Sequence, residues 1–160
     1  AAVTVHGRTR DQMYQPSADW DSIRQLKQAV SVPVIGNGDI TDGDKLKAAF
    51  ERYGVDGVMV GRASIGAPWI FSQLRNALDG RPDTLTTTDK FRCLRRQITE
   101  SIDRIDEYRG ILHIRRHLAA SPLFKGLPDF RQTRIRMLRI EHEQELLDLL
   151  DEIRSKWLDA

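Results

Sequence analysis

The chain has 160 residues, of which 40% are hydrophobic and 30% charged, and its formal net charge is +2. It contains neither the roughly 20 consecutive apolar residues of a membrane span nor a signal-peptide pattern. The single cysteine, Cys93, excludes an internal disulfide framework and favours a reducing compartment. We therefore expect a globular, cytoplasmic protein that makes no contact with a membrane.

The small net charge conceals an uneven distribution along the sequence. Residues 1–89 hold 10 Lys and Arg against 11 Asp and Glu, whereas residues 90–139 hold 13 against 5. Residues 140–160 reverse the balance, with 2 basic against 7 acidic side chains. The middle block is therefore a candidate surface for a polyanion.

The first predicted unit is a strand followed by a helix. Residues 2–5 are mostly apolar and predict a strand, and HGRTR at residues 6–10 follows its C-terminal end. Asp19 predicts the N-cap of a helix that has Ile23 and Leu26 at helical spacing.

Two further strand–helix units follow. VPVI at residues 32–35 predicts a buried strand, and residues 55–60 predict the next one. Between them, Thr41 or Asp42 is expected to cap a helix, and Pro68 is expected in the first turn of a third helix. Three such units, each with a polar cluster after its strand, predict an α/β architecture.

The loops after the second and third strands carry the candidate chemistry. Asn37-Gly38-Asp39 follows one strand, and Gly61-Arg62 follows the next. Backbone N–H groups of glycine-bearing turns and an arginine guanidinium both match phosphate oxygens. The first loop alone is typical of any strand-to-helix turn, but its combination with the second favours a phosphorylated ligand.

The order of these loops matches part of a (β/α)₈ barrel. In such barrels the loops after strands seven and eight commonly build a phosphate site together with a short helix N-terminus. We therefore expect residues 1–80 to be the C-terminal part of a TIM barrel, comprising strands six to eight. The sequence would then be a fragment, with the first five strands preceding it.

The second half of the sequence reads as helical. Residues 81–88 are predicted to be a linker, and residues 89–160 to be an all-α bundle of about four helices. The four predicted helices are one from Phe91 to near Gly110, one over residues 111–120, one that Asp129 caps and that runs through Ile140, and one with an apolar stripe from Leu146 to Trp157.

Five motifs occur together in the first half: HGRTR at residues 6–10, ADW at 18–20, PVIGNGDI at 33–40, GVDGVMVGR at 54–62 and GAPWIF at 66–71. In this order and spacing they resemble the C-terminal half of a tRNA-dihydrouridine synthase of the bacterial DusB-like branch. The resemblance is specific over residues 1–75 and looser beyond them. IRRH at residues 114–117 resembles a basic motif in the tRNA-binding helical domain of that family.

The resemblance implies a flavoenzyme that uses FMN and NAD(P)H, with NADPH the expected donor, to reduce uridine in tRNA to 5,6-dihydrouridine. It implies no metal, and we expect the full-length protein to be a monomer. It also implies cofactor-binding roles for six residues: His6 near the flavin ring, and Asn37, Gly38, Asp39, Gly61 and Arg62 around the phosphate and ribityl chain.

The resemblance also implies that the catalytic acid lies outside this sequence. The family's acid cysteine and a flavin-contacting lysine come from earlier strands, so no catalytic residue is assigned here and the fragment alone is expected to be inactive. Cys93 is not a substitute, because it falls within a helical pattern beyond the barrel. A free cysteine in such a place is typically a small buried hydrophobe.

The basic block is the candidate tRNA surface. No acidic residue lies between Asp129 and Glu141, so the arginines of that segment have no local counter-charge. A solvated face with surface ion pairs is the structural alternative, but phosphate contacts supply much of the affinity for RNA. The resemblance favours tRNA, and the candidate RNA-binding residues are Arg115, Arg116, His117, Arg131, Arg134 and Arg136.

Two other functions stay open on the sequence alone. One is another FMN-dependent TIM-barrel reductase with a small substrate, such as a dihydroorotate dehydrogenase-like enzyme, for which a large cationic surface has no use. The other is a non-catalytic RNA-binding module in which the α/β part is only a scaffold. Individually, His6 could be a turn histidine and Arg8 a salt-bridge partner.

Overall fold

The computed structural model describes residues 1–158 and divides the chain into two compact units. The first unit consists of residues 1–64 and 70–83, and the second of residues 65–69 and the chain from residue 84 onward. None of the helices in the described residues combines the length and apolar character that crossing a bilayer requires.

The first unit is built on a parallel three-stranded sheet in the order β1, β2, β3. The strands are β1 (Val3–His6), β2 (Val34–Asn37) and β3 (Gly57–Met59), and the helices are α1 (Trp20–Ala29), α2 (Gly43–Glu51) and α3 (Ile70–Leu78). His6 is in register with Asn37, and Asn37 with Met59, so the carboxyl ends of the strands meet at one edge. The predicted mixed α/β architecture is confirmed.

Strands β2 and β3 begin two residues later than the sequence pattern predicted. Pro33 lacks an N–H group and contributes only its carbonyl, which accepts from the Val3 N–H at 2.9 Å, so β2 starts after it. The Val55 N–H bonds to the Ala49 carbonyl of α2 at 3.4 Å. The Val55 N–H is therefore bonded to the helix rather than to a neighbouring strand, and β3 starts at Gly57.

Aspartates cap the first two helices. Asp19 caps α1 as predicted, and its carboxylate accepts from the Ser22 N–H at 3.0 Å. Asp42, rather than Thr41, caps α2 by accepting from the Lys45 N–H at 2.9 Å.

The third helix starts later than predicted. Pro68 lies in a turn, and α3 begins two residues after it at Ile70, so its predicted place in the first helical turn is wrong. Residues 65–69 belong instead to the second unit, where Trp69 is buried in the core. The core of the first unit comprises Ile23, Val34, Ile40, Leu46, Ala49, Val55, Ile70 and Leu74.

The second unit is helical throughout its described part. Its helices are α4 (Thr87–Arg104), α5 (Glu107–Ala120), α6 (Arg131–Met137) and α7 (Glu143–Ile153), and a π-helical turn (Arg154–Leu158) continues α7. Helix α4 begins inside the predicted linker 81–88, because Thr86 and Asp89 form a capping box there. Of the apolar stripe predicted for the last helix, Leu146, Leu150 and Ile153 are buried in the core beside Leu149, and Trp157 is partly buried against it.

Gly110 does not end a helix, contrary to the sequence prediction. Helix α4 stops at Arg104, and Gly110 lies inside α5. A Cβ at Gly110 would come within 2.6 Å of the Ile102 Cα, so the missing side chain lets α5 pack directly against α4. The glycine is therefore a site of close helix approach rather than a terminator.

Asp129 does not cap the next helix. It has a positive φ of 53°, and α6 begins at Arg131 with Phe130 in the N-cap position and no side-chain cap. Phe130 is buried, stacks on Phe124 at 5.5 Å between ring centroids and meets the Trp157 ring edge-on at 5.4 Å. This aromatic packing, which is non-local in sequence, fixes the start of the helix.

Candidate functional site

A cavity of about 420 Å³ lies at the carboxyl ends of the three strands of the first unit. All six residues predicted to bind a cofactor line it, together with Tyr14, Ile40, Thr41, Met59 and Ala63. The register explains this convergence, because the parallel pairing places the ends of β1, β2 and β3 side by side.

Asp39 is the best-connected side chain of the cavity. One carboxylate oxygen, Oδ2, accepts from the Arg8 guanidinium and from the Ala18 N–H at 2.9 Å. The other, Oδ1, accepts from Arg62 Nη2 at 3.0 Å. The hydrogen bond from Arg8 lowers the pKa of Asp39 against the opposing effect of burial, so the carboxylate is ionised at neutral pH.

His6 and Asn37 join the strand ends through side-chain hydrogen bonds. The His6 ring nitrogen Nδ1 donates to the Asn37 carbonyl at 2.9 Å. The Asn37 amide nitrogen donates to the Met59 carbonyl at 2.7 Å. These bonds tie β1 to β2 and β2 to β3 at the rim of the cavity.

The two glycines of the cavity, Gly38 and Gly61, differ in backbone conformation and in what surrounds them. Gly38 has a φ of +145°, and a Cβ there would come within 2.4 Å of the Ala18 Cβ. Its carbonyl also accepts from the Trp20 indole at 2.9 Å. A Cβ at Gly61 would meet no protein atom within 4 Å, so open space lies on that side of the residue.

Arg62 is the exposed cation of the cavity. Its side chain is 54% exposed, and its guanidinium carbon lies 4.3 Å from the centroid of the Tyr14 ring. The ion pair with Asp39 and the stacking on Tyr14 hold the guanidinium beside Gly61. Sequence reasoning missed Tyr14, because it lies in a polar loop without a motif.

Arg8, the third residue of HGRTR, is buried behind the cavity. Its side chain is only 3% exposed, its Nε donates to the Pro16 carbonyl at 2.6 Å, and its Nη2 donates to Asp39. It is thus a salt-bridge partner, as the sequence allowed, and its partner is a residue of the cavity.

The basic motif IRRH at residues 114–117 is only partly exposed. Arg115 is partly buried and donates to the Ile140 carbonyl at 3.1 Å, whereas Arg116 is exposed and forms no hydrogen bond or ion pair within residues 1–158. His117 Nδ1 accepts from the Gly66 N–H at 3.3 Å and lies 3.2 Å from the Gln97 amide nitrogen. Burial lowers the pKa of His117, so its ring is neutral at neutral pH.

The three arginines of α6 differ in their partners. Arg131 is exposed and has no hydrogen bond or ion pair among the described residues, whereas Arg134 donates to the Ala119 carbonyl at 2.7 Å. Arg136 pairs with Glu152 at 3.3 Å. A counter-charge for this segment therefore does exist, and sequence reasoning overlooked it because it comes from the following helix.

Cys93 lies in α4 and packs, partly buried, against the core of the second unit. Burial raises the pKa of its thiol, which disfavours the reactive thiolate. No group of three or more His, Cys, Asp or Glu side chains in residues 1–158 is arranged to hold a metal ion.

Comparison with known proteins gives the family. The family model described as "Dihydrouridine synthase (Dus)" matches residues 1–157 of the chain. The chain belongs to the dihydrouridine synthase family. The resemblance drawn from the five motifs is thereby confirmed.

Curated relatives of the chain carry names of the same family. The chain is 33% identical over 153 residues to tRNA-dihydrouridine synthase B of Shewanella oneidensis, which covers 94% of this chain and 47% of that protein. It is 51% identical over 78 residues to tRNA-dihydrouridine synthase B of Yersinia pestis, covering 49% and 24%. It is 54% identical over 76 residues to a probable tRNA-dihydrouridine synthase of Rickettsia conorii, covering 48% and 23%. The chain thus matches at most about half the length of these relatives.

Proposed function

We propose that the chain is the C-terminal part of a DusB-like tRNA-dihydrouridine synthase, which reduces uridine in tRNA with FMN and NADPH. The observation that carries the proposal is the convergence of His6, Asn37-Gly38-Asp39 and Gly61-Arg62 on one cavity in a chain of this family. The proposal includes a TIM barrel, in which β1, β2 and β3 are strands six, seven and eight.

The residues of the cavity fit the phosphate end of FMN. Gly61 borders open space, so a phosphate oxygen could approach its backbone N–H, and the exposed Arg62 supplies a positive charge beside it. Gly38 and Asp39 both have positive φ, which turns the chain sharply at the end of β2. These features supply what a phosphate requires, namely backbone donors, a guanidinium and space.

The chemistry is divided between the cofactor and the protein. FMN, when bound, supplies the hydride that reduces the uracil double bond. In this chain, Arg62 and the glycine backbones would bind the phosphate, and His6 would lie near the ring. The acid cysteine that protonates the base would come from the upstream part of the barrel, so the 160-residue chain alone would not turn over.

The second unit would provide the tRNA-binding surface. Under this proposal residues 1–80 are the barrel part, residues 81–88 a linker and residues 89–160 the tRNA-binding domain of a cytoplasmic, monomeric enzyme. Arg116 and Arg131 are the strongest candidates for phosphate contacts, because both are exposed and neither has a protein partner among the described residues. Arg134 and Arg136 would contribute less, since each already bonds to a protein oxygen.

The dihydrouridine content of tRNA tests the proposal. Unmodified tRNA is incubated with the full-length protein, FMN and NADPH, digested to nucleosides and analysed by mass spectrometry. We expect dihydrouridine to form only when both the protein and NADPH are present. Bound flavin without dihydrouridine would favour a small-molecule reductase, and a protein without flavin would favour a non-catalytic RNA-binding module.

A further inference from the structure

Arg8 is a buried cation that flavin binding as proposed above does not use. Its side chain is 3% exposed and bridges the Pro16 carbonyl, 2.6 Å from Nε, to the Asp39 carboxylate. A buried ion pair contributes little to stability, because desolvation offsets most of the attraction. Stability alone therefore does not account for this pair, and its neighbours in the cavity indicate what else it can do.

The partner of Arg8 is held in an unusual conformation. Asp39 has a φ of +53°, a region that costs a residue with a side chain roughly 1 kcal/mol or more. Two bonds to the same carboxylate oxygen, from Arg8 and from the Ala18 N–H at 2.9 Å, hold the side chain there. The second oxygen is thereby left in a fixed position.

That second oxygen holds the exposed guanidinium of the cavity. Asp39 Oδ1 lies 3.0 Å from Arg62 Nη2, and Tyr14 supports the guanidinium from one face at 4.3 Å. The contacts form a continuous series from the Pro16 carbonyl through Arg8 and Asp39 to Arg62. Arg8 does not line the cavity, whereas Asp39 and Arg62 do, and Arg62 is the more exposed of the two.

We propose that Arg8 is a positioning residue for the phosphate site: it orients Asp39, and Asp39 holds Arg62 where the phosphate of the flavin binds. This inference rests on the proposed function. A guanidinium that is already oriented loses less conformational freedom when an anion binds, so the affinity for the anion rises without any contact from Arg8 itself.

The test compares FMN with riboflavin, which has the same ring and ribityl chain but no phosphate. In the full-length protein, Arg8→Gln should weaken FMN binding about tenfold, the loss expected for one misplaced charge-assisted hydrogen bond. Riboflavin binding should change less than about twofold, because Arg62 has no phosphate to contact. A purely structural role would weaken both ligands alike.

A double-mutant cycle tests whether Arg8 acts through Arg62. When Arg8→Gln is added to the Arg62→Ala variant, the affinity for FMN should fall by less than a further factor of about two, because the residue that Arg8 positions is gone. Arg24→Gln is the matched control. Arg24 and its partner Asp21 are exposed residues of α1, and the loss of this pair should change the affinity for neither flavin. If Arg8→Gln does not fold, Arg8→Lys keeps the charge and should still weaken FMN binding more than riboflavin binding.

Two results would overturn the inference. One is an equal loss of FMN and riboflavin affinity in the Arg8 variants, and the other is full additivity of Arg8→Gln with Arg62→Ala. A wild-type protein that binds neither flavin would instead overturn the proposed function itself, and this inference with it. If the wild type binds both flavins and Arg8→Gln leaves the ratio of the FMN affinity to the riboflavin affinity unchanged, only the inference is overturned.

Discussion

The residues of the cavity divide into those that face the open space and those that fix them. Both oxygens of Asp39 have protein partners, so its contribution to ligand binding would come through Arg62 rather than through direct contact. Arg62, by contrast, is exposed and has donors left for an anion. This difference makes Arg62 the more informative residue to replace.

Arg62→Ala should weaken the binding of FMN to the full-length protein by about 1.5–3 kcal/mol, the value of charge-assisted hydrogen bonds to a phosphate. Fluorescence titration of the flavin measures the change. Arg75→Ala is a suitable control, because Arg75 is an exposed residue of α3 and does not line the cavity. Equal affinities of the wild type and Arg62→Ala would remove Arg62 from the site.

His117 should make the stability of the protein depend on pH. Burial lowers its folded pKa below the ordinary 6.5, so the unfolded chain takes up the proton first as the pH falls. Its contribution to stability is complete above 6.5 and is lost as the pH falls through the folded pKa. Protonation would also end its acceptance of the Gly66 N–H.

Unfolding by urea at about pH 7.5 and about pH 5.5 measures this effect. We expect His117→Gln to lose less stability between these two pH values than the wild type, because glutamine does not titrate. Gln132→Ala, at an exposed residue of α6 that does not titrate, is the control and should keep the wild-type dependence. The assignment fails if His117→Gln and the wild type lose the same free energy of unfolding over this range.

At the scale of elements, local signals predicted the starts of α1 and α2 but not those of α3 and α6. The caps at Asp19 and Asp42 are local hydrogen bonds, so their residue types announce them. The sequence predicts that Gly110 ends a helix, because glycine commonly does so, yet it lies where α5 meets Ile102 of α4. Packing between elements cannot be read from a residue's own neighbours in sequence.

Gly110→Ala tests this account of the helix pair. In an exposed helix interior the change would stabilise by about 1 kcal/mol, through helix propensity. Here the new Cβ would lie 2.6 Å from a backbone atom, so we expect a loss of about 1–3 kcal/mol in the free energy of unfolding. Denaturant unfolding decides the sign.

The control for that experiment is Arg116→Ala, at an exposed position of the same helix, which should change stability by less than about 0.5 kcal/mol. An unchanged or increased stability of Gly110→Ala would show that α4 and α5 tolerate the extra carbon. The close approach of Gly110 to Ile102 would then not limit the stability of the helix pair.

At the scale of the whole molecule, the excess of basic residues overstates the free positive charge. Arg136 pairs with Glu152 of α7, and Arg115 and Arg134 donate to backbone carbonyls. Arg116 and Arg131 are exposed and lack such partners in the described part of the chain. Sequence counts identify the segment richest in basic residues, but only the fold separates the arginines that bond to protein oxygens from those that do not.

The combined change Arg116→Gln and Arg131→Gln should make the salt dependence of tRNA binding shallower by about one to two units in the logarithmic slope. The reason is that each arginine would neutralise one phosphate at most. Affinity for folded tRNA at several salt concentrations measures the slope, and reduction of the flavin by NADPH should be unaffected. Arg96→Gln, whose guanidinium pairs with Glu100 within α4, is the control.

An unchanged slope in the double variant would return both arginines to the role of a solvated surface. A slope that changes equally in Arg96→Gln would show only a general effect of net charge. Either result would require tRNA to dock elsewhere.

The sequence sufficed to find the cavity but not to explain it. The residues at three strand ends could be predicted to meet, because parallel strands bring their carboxyl ends to one edge. Tyr14 and the connection from Arg8 to Asp39 could not be predicted, since they depend on how the loop after β1 folds back over the strand ends. The conformation of a polar loop is set by contacts with distant parts of the chain, and the hydrophobic periodicity of the sequence does not reveal them.

The most direct test of the central claim, that a flavin bound to the full-length protein reduces tRNA, follows the flavin itself. The full-length protein is reduced with NADPH in the absence of oxygen and is then mixed with unmodified tRNA, while flavin absorbance is recorded. We predict that tRNA reoxidises the flavin and that the dihydrouridine formed equals the flavin reoxidised. A flavin that stays reduced in the presence of unmodified tRNA, or a protein that carries no flavin, would contradict the account.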